Sequence, residues 1–109
     1  MKKFVFVLYG RVRPEDISKE DMKGVMDRWM AWFGKYKDHI VDGGNPLAAD
    51  AQSVTAKGVE TIPADMLPAK GYTIINAADM DEAVKIAKEC PALSDDDQGE
   101  VRVYEAMPM

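Results

Sequence analysis

The sequence predicts an α+β domain with the element order β-α-β-(β)-β-α-β. Three observations carry this reading. Lys3 to Tyr9 is an unbroken run rich in strand formers. Two stretches, one opening at Ser18 and one at Asp79, join a helix-capping signal to an apolar stripe. Ala69 to Tyr104 reads as strand, capped helix and strand, a βαβ crossover or split βαβ unit.

In the first strand Phe4, Phe6 and Leu8 face one way and Val5, Val7 and Tyr9 the other. Both faces are apolar, so both are expected to be covered. Gly10 to Ile17 is a polar connection containing Pro14. Ser18 caps the first helix, Asp21 holds the capping-box position, and Ile17 and Met22 have the spacing of a hydrophobic staple. Met22, Val25, Met26, Trp29, Trp32, Phe33, Tyr36 and Ile40 make one stripe, with Lys23, Asp27, Lys35 and Asp38 opposite. Gly43-Gly44 is expected to end this helix, followed by Pro46.

Leu47 to Lys57 predicts a weaker strand, best over Ser53 to Lys57, with Lys57-Gly58 as a turn and Val59 to Ile62 as a short return arm. Pro63 and Pro68 bracket an expected loop. Tyr72 to Ile75 suits a packed strand. In the second helix Asp79 caps, Glu82 sits three residues on, and Met80, Ala83, Val84, Ile86, Ala87 and Cys90 share one side. Pro91 stops it. Val101 and Val103 then alternate with Arg102 and Tyr104, the period of a half-buried strand.

The chain has 109 residues, 47% of them hydrophobic, and a net charge of −5, which fits one soluble domain with its own core. No basic cluster points to nucleic acid. A single cysteine excludes an internal disulfide and offers no metal-ligand spacing. The apolar run after Met1-Lys2-Lys3 is too short for a signal peptide, and no segment can span a bilayer. A cytoplasmic location and no membrane partner are therefore expected.

Two right-handed crossovers place both helices on one face of the sheet. The other face, apolar in the first strand, is left bare, and soluble monomers rarely expose such a patch. A homodimer through that face is the expected solution. The alternative is that the long connection 43–68 folds over it.

The pattern Lys70-Gly71-Tyr72-Thr73-Ile74-Ile75, Asp79-Met80-Asp81-Glu82-Ala83, Ile86-Ala87, Cys90-Pro91 and Glu100-Val101-Arg102-Val103 resembles the YCII-related family, in its DGPF-domain branch. Phe4 to Gly10, Ser18 to Met22, and Gly43-Gly44 before Leu47 are similar too. The resemblance implies a ferredoxin-like βαββαβ fold with an antiparallel sheet, paired as a dimeric α/β barrel. It also implies a small-molecule cleft between helices and sheet or at the dimer boundary. The Asp-Gly-Pro-Phe signature itself is absent, and Thr61-Ile62-Pro63-Ala64-Asp65 stands near its place. Another branch carries a histidine early in the first helix, and this chain has none there.

The candidate chemistry is sparse. His39 is the only histidine, and Asp38 or Asp42 could orient it as a general base. The ordinary alternative is a helix-end histidine favoured by the helix dipole. Asp65 is the second candidate base. Trp29, Trp32, Phe33 and Tyr36 form either core or an aromatic pocket, and Trp32, at the stripe edge, is the pocket candidate. Tyr9, Tyr72, Arg102 and Tyr104 could meet on the sheet, where an arginine among tyrosines suits an anionic ligand; a structural ion pair is the competing reading. Asp95-Asp96-Asp97 with Glu100 lacks calcium-loop spacing and reads as a solvated acidic turn. Cys90 reads as an inert core thiol. Gly43-Gly44-Asn45 follows a helix and so is no phosphate loop. Neither a metal nor a cofactor is implied. Three functions remain in view: a small-molecule-binding YCII-like dimer; a cofactor-free isomerase, dehalogenase or oxygenase using His39 or Asp65; and a ligand-free structural or regulatory dimer.

Overall fold

A computed structural model describes residues 1–109. The chain is a mixed α+β domain with an antiparallel four-stranded sheet and three helices. The strands are β1 (Lys2–Tyr9), β2 (Ile40–Asp42), β3 (Gln52–Thr55), β4 (Gly58–Thr61), β5 (Ala69–Ala77) and β6 (Glu100–Ala106). The helices are α1 (Lys19–Lys35), α2 (Met80–Lys88) and the single turn α3 (Pro91–Ser94). The main sheet runs β2-β5-β1-β6, and β3 and β4 form a separate hairpin.

The capping signals act as the spacing predicts. The Ser18 hydroxyl accepts from the Asp21 N–H at 3.1 Å and starts α1. The Asp79 carboxylate accepts from the Glu82 N–H at 2.9 Å, and Glu82 reaches back to accept from the Ala78 N–H at 2.9 Å.

β1 is the centre of the molecule. It pairs with β5 from Lys2↔Ala77 to Leu8↔Gly71 and with β6 from Lys3↔Ala106 to Tyr9↔Glu100. Phe4 and Phe6 on β1 and Ile75 on β5 are wholly buried under α2, which contributes Ala83, Ile86 and Ala87. Trp32 joins the two helices to this core. Its ring packs 6.3 Å from Phe6, and its indole N–H donates to the Ile86 carbonyl at 3.1 Å.

Three boundaries depart from the sequence expectation. α1 stops at Lys35, not at Gly43-Gly44. Tyr36 to His39 turn, and Ile40–Asp42 become β2 on the edge of the sheet, where the Asn76 N–H donates to the His39 carbonyl at 2.7 Å. As a strand, Ile40 lies opposite Ile75 and packs on the core, a contact that outweighs one more helical turn. Second, the strand expected over 47–57 does not enter the main sheet; only Gln52–Thr55 is strand, paired with Gly58–Thr61. Third, Pro91 does more than stop α2: it opens α3, where its missing N–H costs nothing.

The bare face of the sheet carries Val5, Val7 and Tyr9 beside Tyr72, Ile74, Arg102 and Tyr104. Of the connection 43–68, Asn45 reaches the Tyr72 hydroxyl, and the β3–β4 hairpin does not join the sheet. The hairpin stands by itself, with Val54 74% and Val59 60% exposed. The molecule is a slab of 44 × 40 × 19 Å, thin in the direction of its two layers. No helix is long and apolar enough to cross a membrane.

Candidate functional site: an apolar cavity under the first helix

Of α1 only Trp32 is fully buried, and Met26 and Met30 are 56% and 68% exposed. Beyond Trp32 toward its N-terminus the helix stands off the sheet. The gap is a cavity of about 450 Å³, within the usual range for small-molecule sites. One wall is the α1 stripe of Met22, Val25, Met26, Trp29, Met30 and Phe33. Leu8, Gly71 and Thr73 come from the sheet, and Gly43 to Pro46 form the rim.

The glycines give this cavity its shape. Gly44 has φ +78°, and a Cβ there would run into the Tyr72 carbonyl. That close approach is what lets the rim lie against β5. A hydroxyl fastens it: Thr73 donates to the Gly43 carbonyl at 3.1 Å. Asn45 donates from its side-chain amide to the Tyr72 hydroxyl at 3.2 Å.

Arg13, Lys70 and Asp95 bring charged side chains to the cavity wall. The β1–β5 register slips between Leu8 and Tyr9, so Lys70 has no opposing residue. Bulges commonly re-aim a side chain in this way. The Lys70 ammonium reaches Asp96 at 3.1 Å, and the two side chains are only 13% and 3% exposed. Asp96 also accepts from the Arg11 and Val12 N–H groups, both at 2.8 Å, and from the Gln98 N–H at 2.9 Å. Burial alone would raise the Asp96 carboxyl. The Val12 and Gln98 N–H groups and the Lys70 ammonium outweigh it and hold the pKa at about 2. The acidic turn expected to be solvated is therefore solvated only in part: Asp97 is exposed, and Asp96 is a buried anchor.

Asp95, the residue that ends α3, differs from Asp96. Its Oδ1 takes two charge-assisted contacts from Arg28, at 2.8 Å from Nε and 2.7 Å from Nη2. Its Oδ2 is buried and has no hydrogen-bond partner. Leaving an acceptor in that state costs roughly 1–3 kcal/mol, and more for a charged group.

The residues singled out from sequence do not converge. Tyr72 borders the cavity, together with Trp29 and Phe33 of the aromatic stripe. Trp32 is core, 4% exposed. Tyr9 and Arg102 do meet, on the bare sheet face, with the guanidinium 4.3 Å from the ring centroid. Arg102 Nε also donates to Glu100 at 2.6 Å, and that carboxylate raises the Arg102 pKa. His39 sits in the turn before β2. Its Nδ1 is 2.9 Å from the Asn76 carbonyl, which fixes the proton on that nitrogen, and 3.8 Å from Glu82. Neither Asp38 nor Asp42 orients it, and Asp42 instead accepts from the Gly44 N–H at 2.8 Å. Asp65 is exposed in a turn whose carbonyls accept from Arg11. Neither candidate base lines the cavity.

A register slip places Lys70 and a long-range pairing places Asp95, which the sequence offers only as part of an acidic turn. The methionines of α1 left a trace: Met22 and Met26 belong to the stripe, and a flexible thioether suits an adaptable wall. No group of His, Cys, Asp and Glu is arranged to hold a metal ion. No protein-family model matches the sequence, and no curated protein matches it.

Proposed function

We propose that this chain is a homodimeric, YCII-like small-molecule-binding protein with a ferredoxin-like fold, and that its ligand occupies the cavity under α1. The cavity is the observation that carries the reading: about 450 Å³, walled mainly by apolar side chains, with a few polar groups among them. The ferredoxin-like assignment is supported by the sheet order β2-β5-β1-β6, in which β1 and β5 are the inner strands. Dimerisation through the sheet is supported by the face opposite the helices, which carries Val5, Val7 and Ile74 side by side. The enzyme reading draws no support from His39 or Asp65, which lie away from the cavity.

The test is a thermal-shift screen of small apolar compounds against the wild type and Val25→Trp, a substitution that fills the cavity. A ligand at about ten times its Kd stabilises by roughly 1.4 kcal/mol, raising Tm by about 5–10 °C in a domain of this size. Hits that shift the wild type and leave Val25→Trp unmoved are expected. Equal shifts in both proteins would place binding elsewhere.

A further inference from the structure

We infer that the cavity takes an apolar compound with an anionic head, a carboxylate in the simplest case, and that Arg13 and Lys70 receive that head. This inference rests on the cavity being a binding site and specifies which class of compound it selects. Three charged residues stand in the wall, and two of them have their charge answered within the fold. Asp95 takes two contacts from Arg28, at 2.8 and 2.7 Å. Lys70 is paired with Asp96 at 3.1 Å. Arg13 is in no ion pair. Asp16 accepts from its backbone N–H, not from its guanidinium. The charge of the wall left without a partner is therefore positive, although the chain as a whole carries −5.

Both cations also have donors to spare. The Arg13 guanidinium uses one of its five N–H groups, on the Leu47 carbonyl at 2.9 Å, a neutral partner. The Lys70 ammonium uses one of its three, on Asp96. Asp96 has little more to offer it, because the Arg11, Val12 and Gln98 N–H groups share the same carboxylate. At 13% exposure the Lys70 side chain meets little water, so its remaining donors gain from an acceptor brought by a ligand. Leu47 fastens the two cations to one place. Its carbonyl accepts from Arg13, and its N–H donates to the Lys70 carbonyl at 2.9 Å. A carboxylate accepts only, and its two oxygens match a guanidinium. A cationic head would meet the unpaired charge of Arg13 instead. The apolar body of the ligand lies along Val25, Met26, Trp29 and Phe33, where the methionine adjusts to its shape.

The probes are octanoate, octanol and octylamine, which share one tail and differ in the head. Affinities are measured by calorimetry at about pH 7, where octanoate is anionic and octylamine cationic. The proteins are the wild type, Arg13→Gln and Val25→Trp. Octanoate is expected to bind the wild type about tenfold or more tightly than octylamine, with octanol between them. Arg13→Gln, which removes the charge and keeps an amide donor, should weaken octanoate by about tenfold and leave octanol within about threefold. Val25→Trp should abolish binding of all three. If octylamine or octanol binds the wild type as tightly as octanoate, the anionic head is overturned while the cavity as a binding site stands. If octanoate leads and Arg13→Gln leaves it unchanged, the assignment of the head to Arg13 is overturned. If none of the three binds the wild type, both readings fall. Should Arg13→Gln fail to fold, the wild-type order alone decides between anionic and cationic heads.

Discussion

Asp96 is a buried charge that holds three segments of the chain together. Its two carboxylate oxygens gather Arg11, Val12, Lys70 and Gln98, tying the segment after β1 to β5 and to the connection before β6. Gly10 is part of this arrangement, since a Cβ there would collide with the Asp96 carboxylate. Asp96→Asn is expected to cost about 2–4 kcal/mol at neutral pH, read by urea denaturation, because it strands a buried ammonium. The acid limb follows from the sign of the shift. The folded pKa of about 2 lies below the ordinary 3.8, so the contribution is complete above about pH 4 and is lost as the pH falls toward 2. The variant should lack that limb. Cys90 is the opposite case. Burial pushes its thiol up to about 11, so it should stay inert to thiol reagents at pH 8 in the native protein and react only once denaturant opens the core.

At the scale of elements, the helices and strands differ in what holds them. α2 presses three buried residues onto the sheet, while α1 is held chiefly by Trp32 and its neighbouring rings. A helix held at one end can stand away from the sheet at the other, and the cavity is the result. The β3–β4 hairpin has even less to hold it. Its four-residue strands pair only with each other, and an isolated hairpin is marginal in water. Amide hydrogen exchange is expected to rank the elements accordingly, with the hairpin amides exchanging orders of magnitude faster than those of β1 and β5. Protection of the hairpin equal to that of β1 would show that it packs on something more substantial than itself.

At the scale of the whole molecule, the question is the bare sheet face. Val5, Val7 and Ile74 sit side by side there, bordered by Tyr72 and Tyr104. If a second copy covers this face, light scattering at micromolar concentration should report twice the 12.1 kDa of one chain. Val7→Lys at the centre should then yield a monomer that keeps its helical circular dichroism, since the helix-side core is untouched. A wild-type monomer over that concentration range would remove the dimer from the proposed function and leave the cavity in place.

Much of this architecture is written locally. The Ser18 and Asp79 caps, the alternation along β1 and β6, and the stripe of α2 each arise from residues within a few positions of one another, and each is legible in the sequence. At Gly43-Gly44 the local capping rule gives way to a distant contact, because Ile40 gains more by facing Ile75 than by extending α1. The cavity and the charged groups in its wall belong wholly to the tertiary structure. Lys70 and Asp96 are 26 residues apart and Arg28 and Asp95 are 67 apart, so no spacing announces either pair. Short-range periodicity decides which elements form and which side they bury. Where one element stops short of another, and what polar groups line the gap, depends on packing across the whole chain.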